Sequence, residues 1–339
     1  MSKKKILFLI GFILTATACE NTIPVDLGDN EPQLVLNAQF NAKDREHRVY
    51  VSETSRVIIR AVRDAEVTVE VDGKLMKAEL LPEEQQEYYA GVYAFESPLS
   101  AGSPVKVCAK RDTREARAES VVTQPALISK VDTLRVMQQN FDSAEELFQF
   151  KVSFQDLPGA SFYRIGVRAD FVVHMVDAEG RTKDVPSSYE LPVSGASDPI
   201  LGGGVVSISI FDLEPTYLAF TDDMFRDQTG TVRLSLPVSQ LYPFYYSWED
   251  GFNPQYATIT SQYVPWLETL TLEGYHYMCA INNMENFGYE AIVLVEPTSL
   301  PCNVDGGLGF VTVGNRQDGP AIQGPEQYID YRLYGTGNE

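Results

Sequence analysis

The first residue that could do chemistry is Cys19. It closes the stretch Thr15-Ala16-Thr17-Ala18-Cys19, which follows the basic Lys3, Lys4 and Lys5 and the apolar run Ile6 to Leu14. A basic head, an apolar run and small residues in that order make an export signal, and the run is well short of the roughly 20 residues that span a bilayer. Small residues directly before a cysteine resemble the bacterial lipobox, in which the thiol takes a diacylglycerol and the chain is cut to leave that cysteine first. Cys19 is therefore expected to be a lipid attachment point; the alternative is a plain secretory signal with a chance cysteine. Each buried methylene contributes ~0.8 kcal/mol, so several acyl chains hold where one would not. Glu20 is not the aspartate that retains many lipoproteins at the inner membrane, which directs the expectation to the outer membrane.

Other groups are weaker candidates. Asp222, Asp223 and Asp227 gather three carboxylates in seven residues, and hard cations such as calcium prefer oxygen ligands. The spacing is not that of an EF-hand, and a solvated loop with an aspartate cap is the other reading. Cys108, Cys279 and Cys302 remain after lipidation, enough for one disulfide at most. Cys279 with Cys302 is the favoured pair, since export permits oxidation, and three buried free thiols are the alternative. His47, His174 and His276 stand far apart with no cysteine at a metal-ligand spacing, so no zinc site is expected. The aromatic stretch Tyr242, Phe244, Tyr245, Tyr246 and Trp248 reads either as core packing or as an exposed contact surface.

Two glycine runs, Gly202-Gly203-Gly204 and Gly306-Gly307 with Gly309, lack a following lysine or an acidic ribose partner within a βαβ unit. They read as tight turns or close backbone packing rather than phosphate cradles. No G-x-S-x-G elbow occurs, and no paired carboxylates stand out. No catalytic residue, cofactor or enzymatic activity is expected.

The elements that must carry these residues are strands. Gln33 to Phe40, His47 to Ser52, Ala65 to Val71, Gly91 to Glu96 and Pro104 to Lys110 alternate apolar and polar residues, the mark of half-buried antiparallel strands. Asp72-Gly73 is a two-residue hairpin signal. Further on, Leu147 to Phe154, Phe162 to Val176, Val205 to Phe211, Thr231 to Leu236 and Tyr256 to Tyr263 read as longer strands, and Glu273 to Asn286 as a helix. The fold class expected is mainly β: an N-terminal immunoglobulin-like or transthyretin-like β-sandwich, then a larger β-rich domain with at most one or two short helices. The divisions are a signal peptide over 1–18, a tether over 19–32, the sandwich over 33–124, a linker over 125–130 and the C-terminal domain over 131–339.

The chain carries 27 basic and 47 acidic side chains, net −20, and loses three more positive charges with Lys3, Lys4 and Lys5. Phosphate backbones demand clustered Lys and Arg, and none follows the signal, so nucleic acid is excluded as a partner. Apolar residues at 44% are ample for packed cores, which excludes global disorder.

Several separated pieces together resemble the DUF4249 domain-containing family of Bacteroidetes outer-membrane lipoproteins. They are Ile23 to Leu27 (IPVDL), Pro32 to Leu36 (PQLVL), Asp64 to Val69 (DAEVTV), Tyr89 to Tyr93 (YAGVY), and Glu296-Pro297 followed by Asn303 to Phe310 (NVDGGLGF). Cys302 departs from the small polar residue expected there. The resemblance implies a lipid-anchored outer-membrane protein, commonly encoded beside TonB-dependent transporters, with no established activity. A non-enzymatic accessory or ligand-binding partner of such a transporter is therefore expected, on the cell surface with the periplasmic face as the alternative. A surface adhesin or structural envelope protein is the competing reading.

Overall fold

In the computed structural model, residues 31–55, 58–139, 144–196, 198–201, 217–241, 252, 254–287 and 300–331 are described. The first eight strands are β1 (Leu34–Asn41), β2 (Glu46–Glu53), β3 (Arg60–Ala61), β4 (Glu66–Val71), β5 (Lys74–Leu80), β6 (Gly91–Glu96), β7 (Pro104–Arg111) and β8 (Arg114–Val121). Their alternation becomes burial: Leu34, Leu36, Ala38 and Phe40 point inward from β1, as do Val67, Val69 and Val71 from β4. Asp72 and Gly73, at φ 50° and 77°, make the two-residue turn between β4 and β5, which needs positive φ at both positions.

These strands pair in the order β1-β2-β6-β5-β4-β7-β8. That leaves β1 and β8 as open edges, and the far end of the chain fills the gap. Leu36 N donates to Leu308 O and Leu308 N to Leu34 O, both at 2.8 Å, while Arg117 and Asp305 exchange backbone bonds of 3.0 and 2.7 Å. Segment 304–310 thus lies between β1 and β8 and closes the module. It can do so only with glycine. A Cβ on Gly307 would sit 2.5 Å from Leu34 O and 2.9 Å from the Ala116 Cβ, and Gly309, at φ +117°, faces Leu36 O too closely for any side chain. Asn303 locks the segment, its Oδ1 accepting from Val311 N at 2.9 Å and its Nδ2 donating to Val311 O at 2.7 Å. Val304, Val311 and Val313 join the first core. The segment expected within the C-terminal domain therefore helps build the N-terminal one.

The second module contains β9 (Ile128–Gln139), β10 (Ala144–Gln155), β11 (Phe162–Asp177), β12 (Thr182–Glu190), β13 (Ala219–Thr221), β14 (Thr229–Pro237), β15 (Pro254–Leu270), helix α1 (Leu272–Phe287), β16 (Val311–Asp318), β17 (Ile322–Gln323) and β18 (Gln327–Asp330). One sheet, β14-β10-β9, packs on another in which β11 and β15 run antiparallel over their whole length, flanked by β12 on one side and β16, β17 and β18 on the other. Phe150, Phe154, Tyr163, Leu234, Ile259 and Tyr263 fill the space between them. β16 links the modules. Its first half pairs parallel with β1 and its second half antiparallel with β15. Buried Asn315 and Thr269 bind Thr123 O and Gln124 O at 2.9 and 2.7 Å, so the chain between the modules is fastened to both.

Candidate binding face

Strands β11 and β15 bury alternate residues in the second core, so the intervening ones share the opposite face. Register places Arg164 opposite Glu268, Gly166 opposite Trp266, Asp170 opposite Gln262 and His174 opposite Thr258. On the neighbours, Glu190 and Ser188 of β12 and Arg316 and Asp318 of β16 complete the rows.

The rows nearest α1 are packed with charge. The Trp266 ring lies flat against Gly166, where a Cβ would come within 2.5 Å of it. The guanidinium of Arg316 sits 4.1 Å and that of Arg164 5.0 Å from the ring centroid, the arrangement in which a cation is attracted to an aromatic face. Trp266 Nε1 donates to Glu190 Oε2 at 2.7 Å, and Arg316 pairs with the other Glu190 oxygen at 2.9 Å. Glu268 is 6% exposed, and burial pushes its carboxyl above the usual range against the opposing pull of Arg164 and Arg316. Arg164 Nε lies 2.9 Å from Glu268 Oε2 without an aligned N–H, so this contact is an ion pair rather than a full hydrogen bond.

The network continues along the face. Arg168 grips Asp170 with two bonds of 2.9 and 3.1 Å and reaches Asp318 at 3.1 Å, while Lys43 from the first module binds the same Asp318 oxygen. Arg168 holds the Asp170 carboxyl below its ordinary value despite partial burial. Burial works against ionisation of Asp318, and the bonds from Lys43 and Arg168 outweigh it. Such mutually bound side chains are held in place before any ligand arrives.

Beside this network lies an open groove of about 700 Å³ lined by Asp170, Val172, Pro186, Ser188, Thr260, Gln262 and Gln323. Ser188 Oγ donates to Asp170 Oδ1 at 2.6 Å. Hydroxyls, amides and one carboxylate around a floor that includes Phe171, Val172 and Pro186 suit hydrogen-bonded recognition of a polar chain. Further along, His174 Nε2 lies 3.2 Å from Thr260 Oγ1 and Nδ1 2.9 Å from Asp184 Oδ1. Hydroxyl, imidazole and carboxylate stand in triad order, but acyl transfer also needs amide donors aimed at an oxyanion. Thr260 sits mid-strand in the β11–β15 ladder and the imidazole side chain is 42% exposed, so the row is a solvated cross-strand contact.

The residues singled out from sequence do not meet on this face. Asp222, Asp223 and Asp227 make no cation site. Arg226 binds both Asp222 oxygens, at 3.1 and 3.2 Å, and Asp223 at 2.8 Å, while Asp227, at φ 60°, has its N–H on Asp156 and its Oδ1 accepting from Gly159 N at 3.4 Å. One guanidinium already supplies the positive charge a cation would bring, and among the described residues no cluster of His, Cys, Asp and Glu could hold a metal. Arg226 four residues after Asp222 was the available signal. The expected pair Cys279 and Cys302 is not bridged; both are free thiols, as is Cys108, with Cys279 half-buried on α1 and Cys302 exposed. Burial pushes the Cys108 and Cys279 thiols up, which disfavours the thiolate form. Cys19 and the stretch Tyr242, Phe244, Tyr245, Tyr246 and Trp248 lie outside the described residues.

Among known proteins, residues 20–319 match a family model described as a domain of unknown function, DUF4249. No curated protein matches the sequence. A DUF4785 family protein from Legionella pneumophila is 11% identical, with 67% of this chain aligned to 50% of that one at a TM-score of 0.18. The chain thus spans about half the length of that protein. Bovine butyrophilin is 8% identical, with 68% of this chain aligned to 92% of that one at a TM-score of 0.19.

Proposed function

The chain belongs to the DUF4249 family, and on that premise we propose that it is a non-enzymatic, lipid-anchored outer-membrane protein that serves a TonB-dependent transporter as an accessory or ligand-binding partner. The observation that supports this reading is the groove on the β11–β15 face, where polar side chains surround an open trough beside an ion network that fixes their positions. A pre-ordered polar face on a rigid sheet suits recognition of an extended polar ligand or a partner loop.

The test is affinity purification of the tagged protein from detergent-solubilised outer membrane, combined with protease shaving of intact cells to report its side. A large barrel protein should co-purify and be lost with Asp170→Ala/Gln262→Ala, which alters the groove and leaves both cores intact. Recovery of this chain alone would count against the transporter reading. Binding to matrix or neighbouring cells in a strain without the transporter would favour the adhesin.

A further inference from the structure

Four large apolar side chains stand in water at one end of the first module: Tyr88 at 79%, Tyr89 at 55%, Ile58 at 50% and Ile59 at 49% exposure. They are held there, not loosely displayed. Ser52 Oγ donates to Tyr89 O at 2.7 Å, the two tyrosine rings meet edge to face at 4.6 Å, and Ile58 N donates to Ser55 Oγ at 3.1 Å. β3 continues from Ile59 and pairs Arg60 with Glu53 and Ala61 with Ser52, so both apolar pairs sit past the same end of β2.

The chain enters the module at that end. Leu34 pairs with Glu53, and Gln33 and Thr54 exchange bonds of 2.9 Å. Arg114 donates to Pro32 O at 3.1 Å and binds Glu53, also at 3.1 Å, together with Arg111 at 2.9 Å, which pins the point of entry. Eleven residues lie between Cys19 and Glu31, a span of twelve Cα steps. Fully extended they reach about 40 Å, and as a relaxed coil about 20 Å, so an anchor at Cys19 keeps this end the nearest part of the protein to its membrane.

We propose that the end of the first module formed by Ile58, Ile59, Tyr88 and Tyr89 rests in the interfacial layer of the bilayer that holds the Cys19 lipid. This rests on the lipid-anchor reading above. Tyrosine suits that layer because its ring is apolar and its hydroxyl is wet, and isoleucine adds apolar area. Exposed Arg60, beside Ile59, sets a cation at the depth of the lipid phosphates, which a chain of net −20 would otherwise repel. Contact at two points, lipid and tip, would restrain the module's tilt as well as its distance.

Hydroxyl-radical labelling read by mass spectrometry tests the contact. The acylated protein on phosphatidylethanolamine and phosphatidylglycerol vesicles is compared with a Cys19→Ala chain free in buffer. Tyr88 and Tyr89 should be labelled several-fold less on vesicles, while Tyr328, 61% exposed on the second module, is labelled equally in both. Ile58→Ser/Tyr88→Ser alters only exposed side chains; it should still float with vesicles through its lipid and lose the protection at Tyr89. Equal labelling of Tyr88 and Tyr89 in the two states, for a protein that floats, overturns the tip contact alone. Failure to float with an unmodified Cys19 thiol overturns the lipid anchor, and the tip contact with it.

Discussion

The two modules bury different things. In the first, the buried polar residues within 33–124 are His47, Ser52 and Ser103; in the second, Asp156, Asp177, Asp198, Asp222 and Glu268 are all buried, among the described residues. Each of those carboxylates has named partners. Asp156 accepts from Tyr163 Oη and Asp227 N, Asp177 from Glu179 N and Arg181 N, Asp198 from Ile200 N and Arg233 N, and Asp222 and Glu268 face Arg226 and Arg164. The first module is thus held by apolar burial and by closing its backbone edges with a distant segment. The second spends fixed charges on shaping loops and one open face. A closed unit with no buried carboxylate among its described residues suits a spacer, and a charged, ordered face suits recognition.

The sharpest way to break the contrast is to open the first module. Gly309→Ala places a methyl against Leu36 O at a backbone conformation that disfavours a side chain. Both effects act at once, so a loss of ~3 kcal/mol or more is expected. Amide exchange in β1 and β8 should accelerate most, since their shared hydrogen bonds to 305–308 are disturbed, while β11 and β15 lag behind. Unaltered exchange at Leu36 and Arg117 would show that the closure contributes little.

Next in size is the buried charge of the second module. Arg164→Ala leaves Glu268 without its nearest cation, and breaking one side of a buried pair costs about 3 kcal/mol. The sign with pH follows from the raised carboxyl. Folding favours the protonated form, so the stability missing at neutral pH returns as pH falls through the folded value. Glu268→Gln in the Arg164→Ala background should flatten that dependence; denaturant midpoints from pH 7 to pH 5 measure both. A loss that grows on acidification would show that the carboxylate is not the source.

How much of this was legible depends on whether a residue's partner is local. The alternation of Leu34, Leu36, Ala38 and Phe40, or of Tyr163 to Met175, announces a strand because it records burial along one element. The helix spans Leu272–Phe287, close to the expected Glu273 to Asn286. By contrast, Leu308 meets Leu34 and Leu36 across more than 270 positions, and the glycines signal a close approach without saying to what. Arg164 and Glu268 read as ordinary outward residues until register sets them side by side with Trp266 over Gly166. The groove belongs to four strands at once, β11, β12, β15 and β17, so no single stretch of sequence contains it.

The smallest expected effect separates the modules by pH in the opposite sense. His47 packs its ring 5.4 Å from Phe40 and 5.0 Å from Phe95, and its Nε2–H donates to Ser97 O at 2.9 Å. Burial pushes the imidazole below its ordinary value of 6.5, with the carbonyl bond opposing only in part. The unfolded chain therefore takes up a proton near pH 6.5 while the folded one resists, and the first module loses stability as pH falls from there toward the folded value. His47→Phe keeps an aromatic between Phe40 and Phe95 and removes the proton site. It should cost about 1 kcal/mol at pH 8, where Ser97 O loses a donor, yet abolish the decline between pH 6.5 and pH 5 seen in exchange of β2 and β6 amides. Since Glu268 stabilises on protonation and His47 does the reverse, acidifying the Arg164→Ala protein should strengthen one module and weaken the other. Parallel responses of β2 and β15 would mean that β16 couples the two cores too tightly for them to titrate apart.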